Sequence, residues 1–506
     1  MNNGKLSREK LAAARVVIDR FSADSVSLAR WLARLGAQVR IVDAGPIPRA
    51  LETACRQLAH SGVQLLPDTD PNSLSPNFDI VFADLFHPPT RPFIVEARRR
   101  GQLVSMLADI ALQFSPVPAI GVTGSAGKST TTLLLHAMLM AAGQPVCLGR
   151  DSVMENLWPN YEILDQLDAL RPPGWLLLEL TSSHLEYMHA SPHVALLTVL
   201  WPDHVEWHGS TEAYLKAKAT ILAHQSPTDW AVLNYDDPLL RESFAPPCPA
   251  QVVFFSQTAE LQRGVFVREG QIVARWNAEL QPIISLMDVP ASGRYLINVL
   301  AACAGALAAD VPVPAMAQAI SQFRGLPHRL EFVADVNGVN VYADGMAITP
   351  SKAKAGIESF ADSSLILIAG GTVTSDYSDG LHRSPEEHVQ VMAACRSACQ
   401  KAKQIVLFGE AATALRGILL AEGFPASALH TANDLRAATH RALELAAAGD
   451  TTLFAPIFFV QPDERNVFKA AALEHLAGNI ETQSSQSRAT HFREASASHV
   501  ATRKPN

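Results

Sequence analysis

The chain of 506 residues carries no surplus of positive charge: 41 Lys and Arg stand against 49 Asp and Glu, a formal net charge of −8. Bulk attraction to nucleic acid is thereby excluded as the basis of its function. The one basic run, Arg98-Arg99-Arg100, reads as a solvated helix end. Cysteine is sparse and scattered, at Cys55, Cys147, Cys248, Cys303, Cys395 and Cys399. Only the last two stand four apart, in an alanine-rich helical run, and no Cys-x-x-Cys pair or zinc-ligand spacing occurs, which leaves reduced thiols as the expectation. No apolar run is long enough to span a bilayer, and the opening residues Met1 to Lys10 hold no apolar core of a signal peptide. These absences point to a cytoplasmic protein with neither nucleic acid nor membrane as partner; small-molecule substrates and a monomer are the expectation for it.

What is present suits a globular α/β protein: 48% hydrophobic and 18% charged residues, in a length that accommodates two to four domains. The chain is organised around Ala119-Ile-Gly-Val-Thr-Gly-Ser-Ala-Gly-Lys-Ser-Thr-Thr132. An apolar run, Pro118 to Val122, reads as a buried strand. It meets Gly124, Ser125, Ala126 and Gly127, then Lys128, Ser129 and Thr130, and Leu133 to Met140 continues as a core-facing helix. Strand, glycine loop, Lys-Ser and helix form the layout that cradles a nucleotide's phosphates. Loop amides and the helix N-terminus face the anion, Lys128 adds a point charge, and the Ser129 hydroxyl is a ligand for Mg²⁺.

Upstream, strands are expected at Arg15–Asp19, 37–43, 63–66, 79–83 and 103–106, with a helix over 25–35. That pattern is doubly wound, and Asp43 ends its second strand where a nucleotide-binding domain places an acidic residue. Yet the first strand-to-helix turn, Asp19-Arg-Phe-Ser-Ala-Asp24, contains no glycine, so a pyrophosphate could not approach its backbone as in a glycine-rich turn. Downstream, the apolar strand Trp175-Leu-Leu-Leu-Glu179 delivers a carboxylate beside the phosphate loop, placed either to bind Mg²⁺ or only to cap the next turn. Strands follow at 194–200, ending in Trp201-Pro-Asp-His204, and at 230–234. Between them, a helix over 211–222 puts Tyr214, Lys218 and Ile221 on one face and Lys216 off it. Lys218 is thus a lysine among apolar neighbours, by function or by snorkelling. Short β-strands over 251–290, a small-residue helix from Gly293, a boundary at Leu326-Pro-His-Arg329 and a third α/β unit complete the pattern. The third unit has strands at 339–342, 365–369, 404–408 and 452–456. Residues 481–506 are Ser/Thr-rich without apolar period and are expected to be disordered.

Together these stretches resemble the Mur ligase family, over roughly residues 15–475. Five ordered motifs carry the resemblance: Gly121 to Thr130; Leu178-Glu-Leu-Thr-Ser182 with Leu185-Glu186; Asp203-His204 with Tyr214-x-x-x-Lys218; Leu326-Pro-His-Arg329; and Glu464-Arg465-x-x-Phe468. The resemblance implies three α/β domains. A Rossmann-like substrate domain would span 1–115, a P-loop ATPase domain with a parallel sheet 116–325, and a Rossmann-like amino-acid-binding domain 326–480. The implied activity is ATP-dependent amide ligation through an acyl phosphate, nominally addition of D-glutamate to UDP-N-acetylmuramoyl-L-alanine in peptidoglycan synthesis. By match, residues 124–130 cradle ATP, Ser129 and Glu179 hold one Mg²⁺, and His204 a second. Lys218 matches a lysine that reacts with CO₂ to form a carbamate and position the second Mg²⁺. Asn298 touches the nucleotide, Arg329 its phosphates, and Asp344 lies near the ribose or metal.

The sequence departs from the family pattern at both substrate ends. The glycine-free turn replaces the family's nucleotide loop, and Arg294-Tyr295 replaces a His-Asn pair. Met346 stands where a lysine is expected, Thr372 follows Gly370-Gly371 in place of another, and Ile457-Phe-Phe-Val460 occupies the amino-acid segment. Three other functions therefore stay open: a ligase of this type with another amino acid and acceptor, a regulatory homologue that keeps ATP without ligation, and an unrelated P-loop kinase. The last leaves Lys218 and the Leu-Pro-His-Arg segment unexplained.

Overall fold

The central strands are apolar at successive positions rather than alternate ones, so both faces of their sheet must be covered. A computed structural model gives that arrangement; it describes residues 6–42, 51–66, 78–85, 88–149, 163–202, 205–290, 296–372 and 385–477. Asp43, Arg294-Tyr295 and the 481–506 tail lie outside the described residues.

The chain divides into two units, Met1–Phe323 and Arg324–Asn506. The first holds two sheets. Strands β1 (Arg15–Asp19), β2 (Gln38–Val42), β3 (Gln64–Leu65), β4 (Ile80–Phe82) and β5 (Leu103–Ser105) form a parallel sheet in the order β3-β2-β1-β4-β5. The order reverses beside β1, which places a ligand crevice at the carboxyl ends of β1 and β4.

The second sheet has nine strands: β6 (Ala119–Thr123), β7 (Val146–Gly149), β8 (Trp175–Glu179), β9 (Val194–Leu197), β10 (Trp230–Asn234), β11 (Gln251–Ser256), β12 (Gly264–Arg268), β13 (Gln271–Trp276) and β14 (Glu279–Ser285). Their order is β14-β13-β12-β11-β10-β9-β6-β8-β7, parallel as far as β12 and antiparallel in the last two pairings. Every residue of β6, β8 and β9 is buried, with the helices Lys128–Ala141 and Leu296–Ala308 packed on one side. The edge strand β14 contains Pro282, which faces Val273 where the β13–β14 register shifts. The two sheets are tied by Arg98 to Glu186 at 3.1 Å and by the buried Asp109, whose Oδ1 accepts from the His189 backbone N–H at 2.9 Å.

In the second unit, β15 (Glu331–Val336), β16 (Val339–Ala343), β17 (Leu365–Gly370), β18 (Ala402–Phe408), β19 (Leu429–Thr431) and β20 (Thr451–Ile457) run in the order β15-β16-β20-β17-β18-β19. All pairings are parallel except β15–β16. Nearly every strand expected from the sequence is present, to within a few residues. Three were not expected: β7, β15 and β19. The β15–β16 hairpin turns at Asn337-Gly338, both left-handed at φ 54° and 82°, the chemistry that two-residue turns demand. Among the described residues no helix is long and apolar enough to cross a membrane.

Candidate active site

Strand β6 ends at Thr123 and the chain turns through Gly124 at φ 147° and Gly127 at φ 85° before the helix begins at Lys128. A Cβ on Gly124 would overlap the Thr198 hydroxyl, and one on Gly127 would overlap Asn298 Oδ1. Both turns therefore require glycine for conformation and for space. No side chain caps the helix that starts at Lys128, so its first amides stay oriented towards an anion.

Three side chains hold this loop. The Ser125 hydroxyl donates to Trp201 O at 2.9 Å and accepts from Trp201 N–H at 3.0 Å. Its remaining acceptor site then takes the Tyr214 hydroxyl at 2.7 Å. Ser125 N–H donates to Val199 O at 2.8 Å. Ser125, expected to contact nucleotide, thus spends its side chain and its amide on shaping the loop. Thr198 donates to the carbonyls of Ala126 and Thr123; the sequence reading assigned it no role, although it is a hydroxyl residue that directly follows an apolar strand.

Lys218 is 1% exposed, so it is no snorkelling lysine. From the helix Thr211–Ala223 its ammonium donates to Thr123 Oγ1 at 2.8 Å and to Gly124 O at 3.1 Å. Half-buried Lys128 donates to the same Gly124 carbonyl at 3.0 Å. Lys216 is exposed, as the helical face predicts. Glu179, at the end of β8, is buried, and its Oε1 accepts from the Ser129 hydroxyl at 2.7 Å, while Thr181 caps the helix that follows. Two hard oxygen donors side by side at a phosphate loop fit Mg²⁺, which keeps several waters and takes few protein ligands. Among the described residues no group of three or more His, Cys, Asp or Glu forms a metal cage. His204 lies outside the described residues.

His184 lies between Ser182 and the Leu185-Glu186 motif, and the sequence alone gives it no role. It is buried, and its Nδ1 accepts from Thr181 N–H at 3.1 Å, which leaves the proton of the neutral ring on Nε2. Burial pushes its pKa down to about 4, with nearby Glu179 opposing and Lys218 and Lys128 reinforcing the shift. The ring lines a cleft that runs from Glu179 and Leu180 to Asp19 and Asp84, at and just past the ends of β1 and β4, and to Asp24 in the first turn of the helix Ala23–Leu35.

In the second unit, buried Asp344 accepts from Leu330 N–H at 3.2 Å, and Arg329 N–H donates to Leu326 O at 3.2 Å. Asp344 therefore holds the Leu326–Leu330 segment, where His328 and Leu330 adopt left-handed φ values of 57° and 42°. Ile457, Phe458 and Val460 are buried.

Residues 122–306 match the Mur ligase middle domain and residues 328–458 the Mur ligase glutamate ligase domain. UDP-N-acetylmuramoylalanine–D-glutamate ligase of Symbiobacterium thermophilum is 33% identical over 445 residues, which cover 87% of this chain and 92% of that protein. The chain belongs to the Mur ligase family. The enzyme of the same name from Geobacillus kaustophilus is 31% identical over 446 residues, again 87% of this chain and 92% of its own length. Among solved structures, the MurF ligase of Thermotoga maritima in complex with ADP matches with a TM-score of 0.55 at 17% identity, covering 94% of this chain and 99% of that one. MurC of the same organism gives 0.52 at 16%, covering 92% and 100%. These two likenesses establish the three-domain α/β fold. Mur ligases are ATP-dependent amide-forming enzymes, and the phosphate loop described above lies within the matched middle domain. At Met346, where the Mur pattern has lysine, the Arg465 guanidinium comes within 2.8 Å of the sulfur, so a positive charge stands beside the substituted position.

Gly127→Ala should cost about 1–2 kcal/mol from backbone conformation alone, with a further penalty from Asn298 that Asn298→Ala relieves; urea midpoints of single and double variants check both terms. For His184, the unfolded chain binds the proton first, so native stability falls as pH drops from 6.5 towards about 4. His184→Asn should flatten that limb of a stability-versus-pH curve. Asp344→Ala, which strands the Leu330 amide, should cost about 1–3 kcal/mol in denaturant melts.

Proposed function

We propose that this chain is the ligase that joins D-glutamate to UDP-N-acetylmuramoyl-L-alanine in peptidoglycan synthesis. The observation that carries the reading is the convergence of buried Lys218, Lys128 and the Ser129–Glu179 pair on one glycine loop. The names of the two D-glutamate ligases that share about a third of its sequence support the choice of substrates.

In this reading the acceptor carboxylate takes the terminal phosphate of ATP, and the amine of D-glutamate then displaces phosphate from the acyl carbon. Both steps gather negative charge in one place, so the chain's task is to concentrate positive charge and exclude water. The uncapped helix N-terminus and Lys128 would grip the β- and γ-phosphates once Lys128 leaves Gly124 O. Ser129 and Glu179 would hold Mg²⁺, which when bound neutralises phosphate charge. His204 and a carbamate on Lys218 would hold a second ion. Lys218 is buried, and loss of solvent disfavours the charged form of a lysine in general, the direction that reaction with CO₂ would require. Asn298 would contact the nucleotide beside Gly127, and Arg329 and Asp344 belong to the proposed nucleotide contacts of the C-terminal domain. Residues 1–115, 116–325 and 326–480 are the proposed acceptor, ATP and amino-acid domains.

Phosphate release measured with each substrate pair tests this directly. Release should require both the acceptor and D-glutamate; release without any acceptor pair would identify an ATPase without ligation. Lys218→Ala should lower turnover by about 10²–10³-fold, the scale of a lost charge-stabilising group, with partial recovery in acetate or formate. Full activity of the variant would remove Lys218 from the site.

A further inference from the structure

The second unit brings together two histidines that the ligase chemistry does not use. The helix Leu435–Leu445 and the helix over 462–477 bury Ala438, Ala442, Phe468 and Ala472 in one apolar core with Phe454 of β20. Each helix also carries a half-buried histidine, His440 on the first and His475 on the second. An ion pair between Arg436 and Glu474 links the same two helices.

Across this junction the two Nδ1 atoms lie 3.5 Å apart. The ring centroids are 5.8 Å apart and the planes are inclined by 39°, so the nitrogen edges face each other and the ring faces do not. A good hydrogen bond from nitrogen spans about 2.7–3.2 Å, shorter than this separation. One ion held by both nitrogens at about 2.0–2.1 Å, with a tetrahedral angle between them, would set them about 3.3–3.4 Å apart. The observed spacing is closer to that of two ligands on one metal than to that of a hydrogen-bonded pair.

The electrostatics point the same way. Two imidazolium rings this close would repel each other. Burial and neighbouring His440 lower the pKa of His475, with Glu444 opposing the shift. Neutral rings are the form that coordinates a metal. Glu444 follows His440 by one helical turn on the same face and brings a carboxylate to the pair, held by Arg441 at 3.1 Å.

We propose that His440 and His475 form a two-imidazole site for a borderline divalent ion, Zn²⁺ or Ni²⁺ rather than Mg²⁺, with water in the remaining positions. Imidazole suits such ions, whereas Mg²⁺ takes hard oxygen donors. Among the described residues no third His, Cys, Asp or Glu completes a cage, so the site is an open chelate. Its ligands stand 35 residues apart on separate helices, and a bound ion therefore ties the helix over 462–477 to the helix Leu435–Leu445. This site is independent of the ligase reading.

The full chain, stripped with EDTA and returned to buffer containing excess Mg²⁺, is titrated by calorimetry at neutral pH with Zn²⁺ alone and with Ni²⁺ alone. Urea midpoints are measured with and without each ion. The same measurements are made on His440→Ala, His475→Ala and His475→Gln, the last keeping a polar side chain of similar bulk without the imidazole. Wild type should bind one ion at least tenfold more tightly than any of the three variants, a difference of about 1.4 kcal/mol. The ion should also raise the wild-type midpoint more than those of the variants. Midpoints without added ion check that each variant folds. Equal affinity in wild type and folded variants would place the ion at other side chains and overturn the proposal. Absence of uptake by wild type at submillimolar Zn²⁺ and Ni²⁺ would overturn it as well.

Discussion

One carbonyl oxygen, that of Gly124, receives the ammonium groups of both Lys128 and Lys218. Two cations can share an acceptor only if the backbone presents it openly, and that presentation follows from the left-handed turn. The turn in turn leaves no room for a side chain against Thr198. Tyr214 and Lys218, one helical turn apart, fasten the helix Thr211–Ala223 to this loop at Ser125 and at Gly124. The face of that helix that carries Tyr214 and Lys218 is thus set by the same few atoms that shape the glycine loop. Loop and helix are best regarded as one rigid element.

Much of this was legible in the sequence because the signals are local. The central strands announce themselves as continuous apolar runs, and the Gly-Lys-Ser turn sits between such a run and an apolar helix. Lys218 stood out because three-and-four spacing put it on a face with Tyr214 and Ile221. Those features depend on residues within one or two helical turns of each other. The pairing of Ser129 with Glu179 and the role of Thr198 depend on strands β6, β8 and β9 being neighbours, an order that sequence spacing does not encode. Strand β15 went unread for another reason. Its side chains alternate weakly, and its strongest signal, the Asn337-Gly338 turn, lies after it rather than within it.

The strand-to-helix junctions after β1 and β6 share an architecture and differ in detail. Each has a strand, a left-handed residue and a helix start, and the two differ in whether a side chain caps the helix. After β1 the Ser22 side chain accepts from Ser25 N–H, whereas no side chain caps the helix that starts at Lys128. The second unit repeats the point in another form: Asp344 spends its carboxylate on holding Leu330 in place, so its contribution to a nucleotide would be inseparable from the shape of the segment it anchors.

The edge strand β14 bears on the protein's behaviour in a crowded cell. A long parallel sheet that ended in an unprotected strand would offer a template for a second chain to extend. Here the final two strands run antiparallel, the register slips, and Pro282 supplies no amide hydrogen at that point of the ladder. An incoming strand would find an interrupted row of donors beside exposed Glu279. A sheet of nine strands is in this way brought to a stop by its last member, and self-association through that edge is discouraged from within the sequence.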